Sequence, residues 1–225
     1  MISTCRIREM LKLYFIMGSN NTGKANPLYV LEEALIGGIT CFQFREKGTG
    51  SLNGQASIDF AKACHDLCKK YNVPFIINDD VELALSLDAD GVHVGQDDES
   101  ALRVRERIGD KILGVSVHTC DDVERAIAAH VDYVGIGPIF KTQTKDDAKL
   151  PAGTGFLQAV SQKYPELPIV GIGGITVPRV ETVIQCGADG VSVISAISHS
   201  HQPQLATETF NKELNHLFEK KRLLQ

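Results

Sequence analysis

Short apolar runs recur along the chain, each followed by a stretch with helical spacing. The runs are Leu13–Met17, Cys41–Arg45, Phe75–Asn78, Val92–Val94, Ile112–Ser116, Tyr133–Ile136, Ile169–Ile172 and Val191–Ile194. They are rich in Ile, Val and Phe and continuous rather than alternating, as in strands covered by helices. Ile58–Tyr71 carries Ile58, Ala61, Cys64, His65 and Cys68 at helical spacing. Leu83 and Leu87 mark a helix after Asp80, and Val123, Ile127 and Val131 mark another. Val180, Val183 and Ile184 mark a third, ending at Cys186-Gly187 as helices commonly end. The turns Asp-Ala-Asp-Gly-Val before Val92 and Gly-Ala-Asp-Gly-Val before Val191 repeat the same chemistry, which suggests repeated βα units. Eight strand–helix units predict a single (β/α)8 TIM barrel of the α/β class, with a doubly wound open sheet as the alternative.

No composition break or Ser/Pro linker divides the chain, so one domain over residues 1–225 is expected. Residues 1–12 read as an N-terminal arm or helix, and residues 205–225 as a C-terminal helix that closes the barrel. Lys220-Lys221-Arg222 near its end suits a helix C-terminus, where cations oppose the dipole.

Composition narrows the function class. The chain is 43% hydrophobic and 23% charged, an ordinary globular balance. Its net charge is -5 with no long basic block, which argues against nucleic acid as a partner. No apolar run is long enough to cross a membrane, and the start lacks the apolar stretch of a signal peptide. A cytoplasmic location is expected. Cysteines stand at positions 5, 41, 64, 68, 120 and 186 without a Cys-x-x-Cys. Cys64 and Cys68 flank His65, yet two small hydrophobes on a buried helix face explain them better than a metal site. Reduced thiols fit the same compartment.

The polar residues gather at strand ends. In Cys41-Phe42-Gln43-Phe44-Arg45-Glu46-Lys47, alternation puts Gln43, Arg45 and Lys47 on one face. Three polar groups on an otherwise apolar strand make sense facing an anionic ligand. Asn78-Asp79-Asp80 follows the third run, Gln96-Asp97-Asp98 the fourth, and Ser116 and His118 end the fifth. Thr142-Gln143-Thr144-Lys145 follows the sixth, Gly173-Gly174 the seventh, and Ser195-Ala196 the eighth. In a TIM barrel this end of the strands holds the chemistry. Asp79 and Asp98 come from adjacent strands and suit Mg²⁺, which binds through one or two carboxylates plus substrate phosphates. The alternative is a pair of helix N-caps; Asp80 fits that role well, and Asp97 is ambiguous. The glycine pair and the strand-8 end, which would start a short helix, form the phosphate site expected after strands 7 and 8. Arg45, Lys47, Asn78, Lys145 and a carboxylate-held Mg²⁺ suit a diphosphate; the other site suits a monophosphate.

These motifs together resemble the thiamine-phosphate synthase (thiamine-phosphate pyrophosphorylase) family. The resembling segments are Gln43–Lys47, Ile77–Asp80, His93–Asp98, Gly114–Ser116, Gly135–Phe140, Gly171–Ile175 and Val193–Ala196. The resemblance implies a Mg²⁺-dependent transferase of thiamine biosynthesis. It would join 4-amino-2-methyl-5-(diphosphooxymethyl)pyrimidine to a thiazole phosphate, or its carboxylated tautomer, releasing thiamine phosphate and diphosphate, with CO₂ in the carboxylated case. It implies that Gln43, Phe44, Arg45, Glu46, Lys47, Asn78, Ser116 and Lys145 hold the pyrimidine diphosphate. Thr142, Gln143, Thr144, Gly174, Ile194 and Ser195 would hold the thiazole phosphate, and Asp79 and Asp98 would ligate Mg²⁺. Arg45, Lys47 and Lys145 would stabilise charge on the leaving diphosphate.

The chain departs from the family at Lys141, where proline is usual; this removes a fixed φ from the strand-6 loop. Two other readings compete. A thiazole tautomerase would share the barrel and monophosphate site but need no diphosphate grip. A non-enzymatic barrel would bind thiamine precursors and regulate a partner. The retained cations and carboxylates argue against both.

Overall fold

The computed structural model describes residues 2–142 and 153–223. Eight parallel strands close into a barrel in chain order: β1 Leu13–Met17, β2 Cys41–Phe44, β3 Phe75–Asn78, β4 Gly91–Val94, β5 Ile112–Val117, β6 Tyr133–Ile136, β7 Ile169–Ile172 and β8 Gly190–Val193. β8 pairs with β1, so no edge is left open and the open-sheet alternative falls.

Helices alternate with the strands: α1 Thr4–Leu11, α2 Pro27–Ile36, α3 Gly54–Tyr71, α4 Val81–Ser86 and α5 Ala101–Ile108. After these come α6 Cys120–Ala128, α7 Gly153–Lys163, α8 Val180–Gln185, α9 Ser195–Ser198 and α10 Pro203–Leu223. Local chemistry sets many of their ends. Asp80 caps α4 by accepting from the Leu83 N–H at 2.9 Å, as expected for that residue. Thr119 and Asp122 form a reciprocal capping box at the start of α6. Some boundaries differ from the pattern. β2 ends at Phe44, although the Arg45 N–H still donates to the Met17 carbonyl at 3.0 Å. Val131 lies beyond α6, which stops at Ala128, and α10 begins at Pro203, whose missing N–H is harmless in a first turn.

The repeated aspartates before strands have one job. Asp90, Asp132 and Asp189 each accept from an N–H at the start of the preceding strand, the first residue at Phe75 and Ile169 and the second at Leu113, over 2.8–2.9 Å. Thr40 does the same for Leu13 at 2.8 Å. Each junction thereby satisfies a strand-end donor that the sheet alone leaves unpaired.

Strand alternation divides the core in two. An outer layer, with Phe15, Phe42, Phe44, Val92, Val134 and Val191, packs against the helices. An inner layer, with Tyr14, Ile16, Cys41, Ile76, Ile112, Tyr133, Val170 and Ile194, fills the barrel. Ile7, Met10 and Leu11 of α1 join the inner layer and plug the barrel where the strands begin. α10 packs on α2, α8 and α9, completing the helical ring. The opposite mouth, at the strand C-termini, is left for function. Among the described residues no helix is long and apolar enough to cross a membrane.

Candidate active site

A cleft opens at the C-terminal ends of the strands. Lys47, Asp98, Ser116, Thr142, Gly174, Ile194 and Ser195 line it, drawn from segments far apart in sequence. Gln143, Thr144 and Lys145 lie outside the described residues.

Lys47 extends from the end of β2 to two carboxylates. Its Nζ lies 2.9 Å from Asp79 Oδ2 and 3.8 Å from Asp98 Oδ1. Asp98 is fixed from behind, since its Oδ2 accepts from the Gly95 N–H at 2.9 Å. Asp79 has a left-handed backbone (φ 65°), which aspartate tolerates better than most residues. Burial pushes the Asp79 carboxyl above its ordinary range and Asp98 adds to this, while Lys47 pulls it back. Two hard oxygen donors crowded enough to need a cation between them match the ligand preference of Mg²⁺. Among the described residues no group of three or more His, Cys, Asp or Glu converges. A metal held here would therefore complete its shell with water and ligand oxygens.

Not every residue singled out by pattern reaches this cleft. Gln43 is 1% exposed and lies inside the barrel, its amide nitrogen donating to Tyr14 Oη at 2.9 Å. Phe44 points the other way, packed against Phe60 and Phe75 outside the sheet. Glu46 is held by the loop after β1, accepting from the Ser19 N–H at 2.8 Å and the Ser19 hydroxyl at 2.5 Å, and by its own loop, accepting from the Leu52 N–H at 2.6 Å. Arg45 is buried to 8% exposure, and Asn78 is half-buried opposite His93 in the sheet register.

The other end of the cleft is backbone-rich. Gly173 and Gly174 have positive φ (98° and 62°), where a side chain would be strained. A Cβ at Gly173 would lie 2.7 Å from Pro138 Cα, and one at Gly174 would lie 2.7 Å from the Lys141 carbonyl oxygen. The pair thus brings the β6 and β7 loops together. Arg179 locks this corner, donating to the Gly174 carbonyl at 2.6 Å and covering the Phe140 ring at 4.7 Å. Ser195 opens the helical turn α9 beside it.

Pattern reading missed Tyr14, Tyr133 and Ser192, and gave His93 no role. All four are buried polar residues on the strands, with Tyr14 and Tyr133 in the inner layer. Strand parity was the available signal: each sits an even number of residues from an inward neighbour. Gln96 adds a link between loops, donating to the Ser116 carbonyl at 2.7 Å and accepting from Arg125 at 3.2 Å.

Comparison with known proteins identifies relatives of the whole chain. Thiamine-phosphate synthase of Bacillus mycoides is 56% identical over 214 residues, covering 95% of this chain and 97% of that protein. That of Bacillus licheniformis is 54% identical, covering 95% of each. The structure of a thiamine phosphate pyrophosphorylase from Pyrococcus furiosus superposes with a TM-score of 0.84 at 30% identity, covering 94% of this chain and 98% of that one. Residues 13–197, from the first strand to the turn after the last, match the family described as thiamine monophosphate synthase. The chain belongs to that family and is a transferase of thiamine biosynthesis.

Proposed function

We propose that this chain condenses 4-amino-2-methyl-5-(diphosphooxymethyl)pyrimidine with a thiazole phosphate, or its carboxylated tautomer, to give thiamine phosphate and diphosphate, with CO₂ released in the carboxylated case. The observation that carries the reading is Lys47 between Asp79 and Asp98 at one end of a cleft whose other end is Gly174 and Ser195. One end suits a diphosphate and the other a monophosphate, so two anionic substrates fit side by side.

Asp79 and Asp98 would hold Mg²⁺, which when bound neutralises charge on the diphosphate oxygens. Arg45, Lys47 and Lys145 supply fixed positive charge to the same group, and Asn78 and Ser116 supply hydrogen bonds. The C–O bond to the diphosphate breaks first, and the aminopyrimidine delocalises the resulting positive charge. The thiazole nitrogen then donates its electron pair to that carbon. Thr142, Gln143, Thr144, Gly174, Ile194 and Ser195 keep the nucleophile close through its phosphate, which converts a bimolecular step into a nearly unimolecular one. Catalysis in this scheme is charge stabilisation on the leaving group plus positioning, with no protein nucleophile.

The test is incubation of the purified chain with both precursors and Mg²⁺, followed by assay for thiamine phosphate and diphosphate in equal amounts. Binding of both precursors without product would reject the enzyme assignment and favour a binding barrel.

A further inference from the structure

Beneath the cleft a row of polar side chains crosses the apolar barrel interior. Gln43 Nε2 donates to Tyr14 Oη at 2.9 Å, and Tyr14 Oη lies 2.8 Å from Tyr133 Oη. Tyr133 Oη lies 3.0 Å from His93 Nδ1, and His93 Nε2 lies 2.9 Å from Ser116 Oγ. Ser116 lines the cleft. Gln43, Tyr14, Tyr133 and His93 are buried, and Ile16, Cys41, Ile76, Ile112 and Val170 share the inner layer with the two tyrosines.

Polar groups this deep are costly unless each is paired. The strands make room for them. A Cβ on Gly114 would stand 2.1 Å from the Tyr133 ring, and one on Gly135 would stand 3.3 Å from His93 Cε1. Small inward positions beside large ones thus let the row form, with Gln43 Oε1 at its start buried and without a partner among the described residues.

Proton counting gives the row a direction. The Gln43 amide donates to Tyr14, so Tyr14 accepts there and its single proton is available to Tyr133. Tyr133 then accepts from Tyr14 and has its own proton for His93 Nδ1. A His93 that accepts at Nδ1 carries its proton on Nε2 and donates it to Ser116 Oγ. The Ser116 proton is then left to point into the cleft. Burial, the largest influence, raises both tyrosine hydroxyls well above their ordinary pKa, so neither loses its proton near neutral pH. The opposite direction requires the Gln43 amide turned so that its Oε1, buried and without a partner among the described residues, accepts from Tyr14, and it would turn the Ser116 proton away toward His93. Ser116 would then meet an anion with a lone pair.

We propose that Tyr14, Tyr133 and His93 relay a directed hydrogen-bond chain from Gln43 that holds the Ser116 hydroxyl as a donor toward an anionic substrate oxygen. Tyr133 and His93 are positioning residues; Ser116 makes the contact. The identity of that oxygen rests on the function proposed above, whereas the direction of the chain does not.

The imidazole nitrogens report the direction. Long-range ¹H–¹⁵N spectra of the unaltered, ligand-free protein are expected to show His93 as the Nε2–H tautomer. Tyr133→Phe removes the donor to Nδ1, and the imidazole signals are expected to move toward a mixture of tautomers. In the same variant kcat is expected to fall roughly tenfold, the scale of losing an orienting partner, with KM for the thiazole phosphate changed less than about twofold. His93 found as Nδ1–H or as imidazolium in the unaltered protein overturns the proposal. So does a Tyr133→Phe protein with unchanged imidazole signals. These spectra need no turnover, so a chain that forms no thiamine phosphate would refute the enzymatic reading while leaving the relay standing.

Discussion

Gly114→Ala tests the packing that underlies the barrel interior. A methyl group there would lie 2.1 Å from Tyr133 Cζ, 2.3 Å from its Oη and 2.5 Å from its Cε1. Ordinary contact requires the ring to retreat by roughly 1 Å, against a packed core that yields little. Tyr133 is fully buried and its hydroxyl lies within hydrogen-bond distance of Tyr14 and His93, at 2.8 and 3.0 Å. A shift of that size breaks at least one of these bonds. Overpacking costs about 1–3 kcal/mol. A buried polar group left unpaired costs about 1–3 kcal/mol more. The expected loss is then about 2–6 kcal/mol, a large share of the roughly 5–15 kcal/mol that holds a domain together. For a chain of this length, at roughly 2–4 °C per kcal/mol, it lowers Tm by about 4–24 °C. Circular dichroism during heating and in urea reads the change. Gly155→Ala in α7 is the control: among the described residues nothing lies within 4 Å of its Cβ, and alanine should add about 0.5–1 kcal/mol through helix propensity. A Gly114→Ala protein within about 0.5 kcal/mol of the parent, below the overpacking range, would refute the steric argument.

Four other outcomes are expected. Turnover should stop in excess chelator, and Asp98→Asn should raise the Mg²⁺ required and lower kcat; full activity without divalent metal would reject the carboxylate site. On the proposed mechanism Lys145→Ala should lower kcat by roughly a hundredfold, because it would remove charge stabilisation that grows during bond breaking. Ser195→Ala should instead raise KM for the thiazole phosphate with kcat nearly kept, because that phosphate keeps its charge; a large kcat loss at constant KM contradicts the division. Burial raises the Asp122 carboxyl, but N–H donors of His118 and Thr119, the Thr119 hydroxyl and Arg125 outweigh it and hold it below its ordinary range. Its folded pKa lies below the unfolded one, so its contribution is present at neutral pH and lost as pH falls below about 4. The stability gap between parent and Asp122→Asn should be about 1 kcal/mol at pH 7 and shrink with acid. A gap independent of pH in urea titrations would exclude the charge as its source.

Much of this molecule is legible in one dimension. Eight continuous apolar runs separated by helical spacing lead to a closed parallel barrel, because strands buried on both faces need neither polar alternation nor free edges. The Asp-Gly turns mark strand starts for a local reason, since Asp90 and Asp189 cap neighbouring strand ends. Placing the chemistry at the strand C-termini also follows from the barrel, and Lys47, Asp98, Ser116 and Ser195 gather there.

Other features depend on contacts between residues far apart in sequence. Arg45, Glu46 and Lys47 are consecutive and all charged, yet Glu46 is spent on Ser19 and Leu52 while Lys47 reaches Asp79 and Asp98. Glycine 114 looks like any strand glycine until Tyr133 is set beside it. Gln43 shares strand parity with Lys47, but side chains farther back on a strand turn into the barrel axis rather than its mouth. Depth along the strand separates a cleft residue from an interior one, and it is set by where the neighbouring strands and α1 close the barrel. Periodicity records which face a side chain occupies; only closure of the barrel determines how deep that face lies and which distant groups share it.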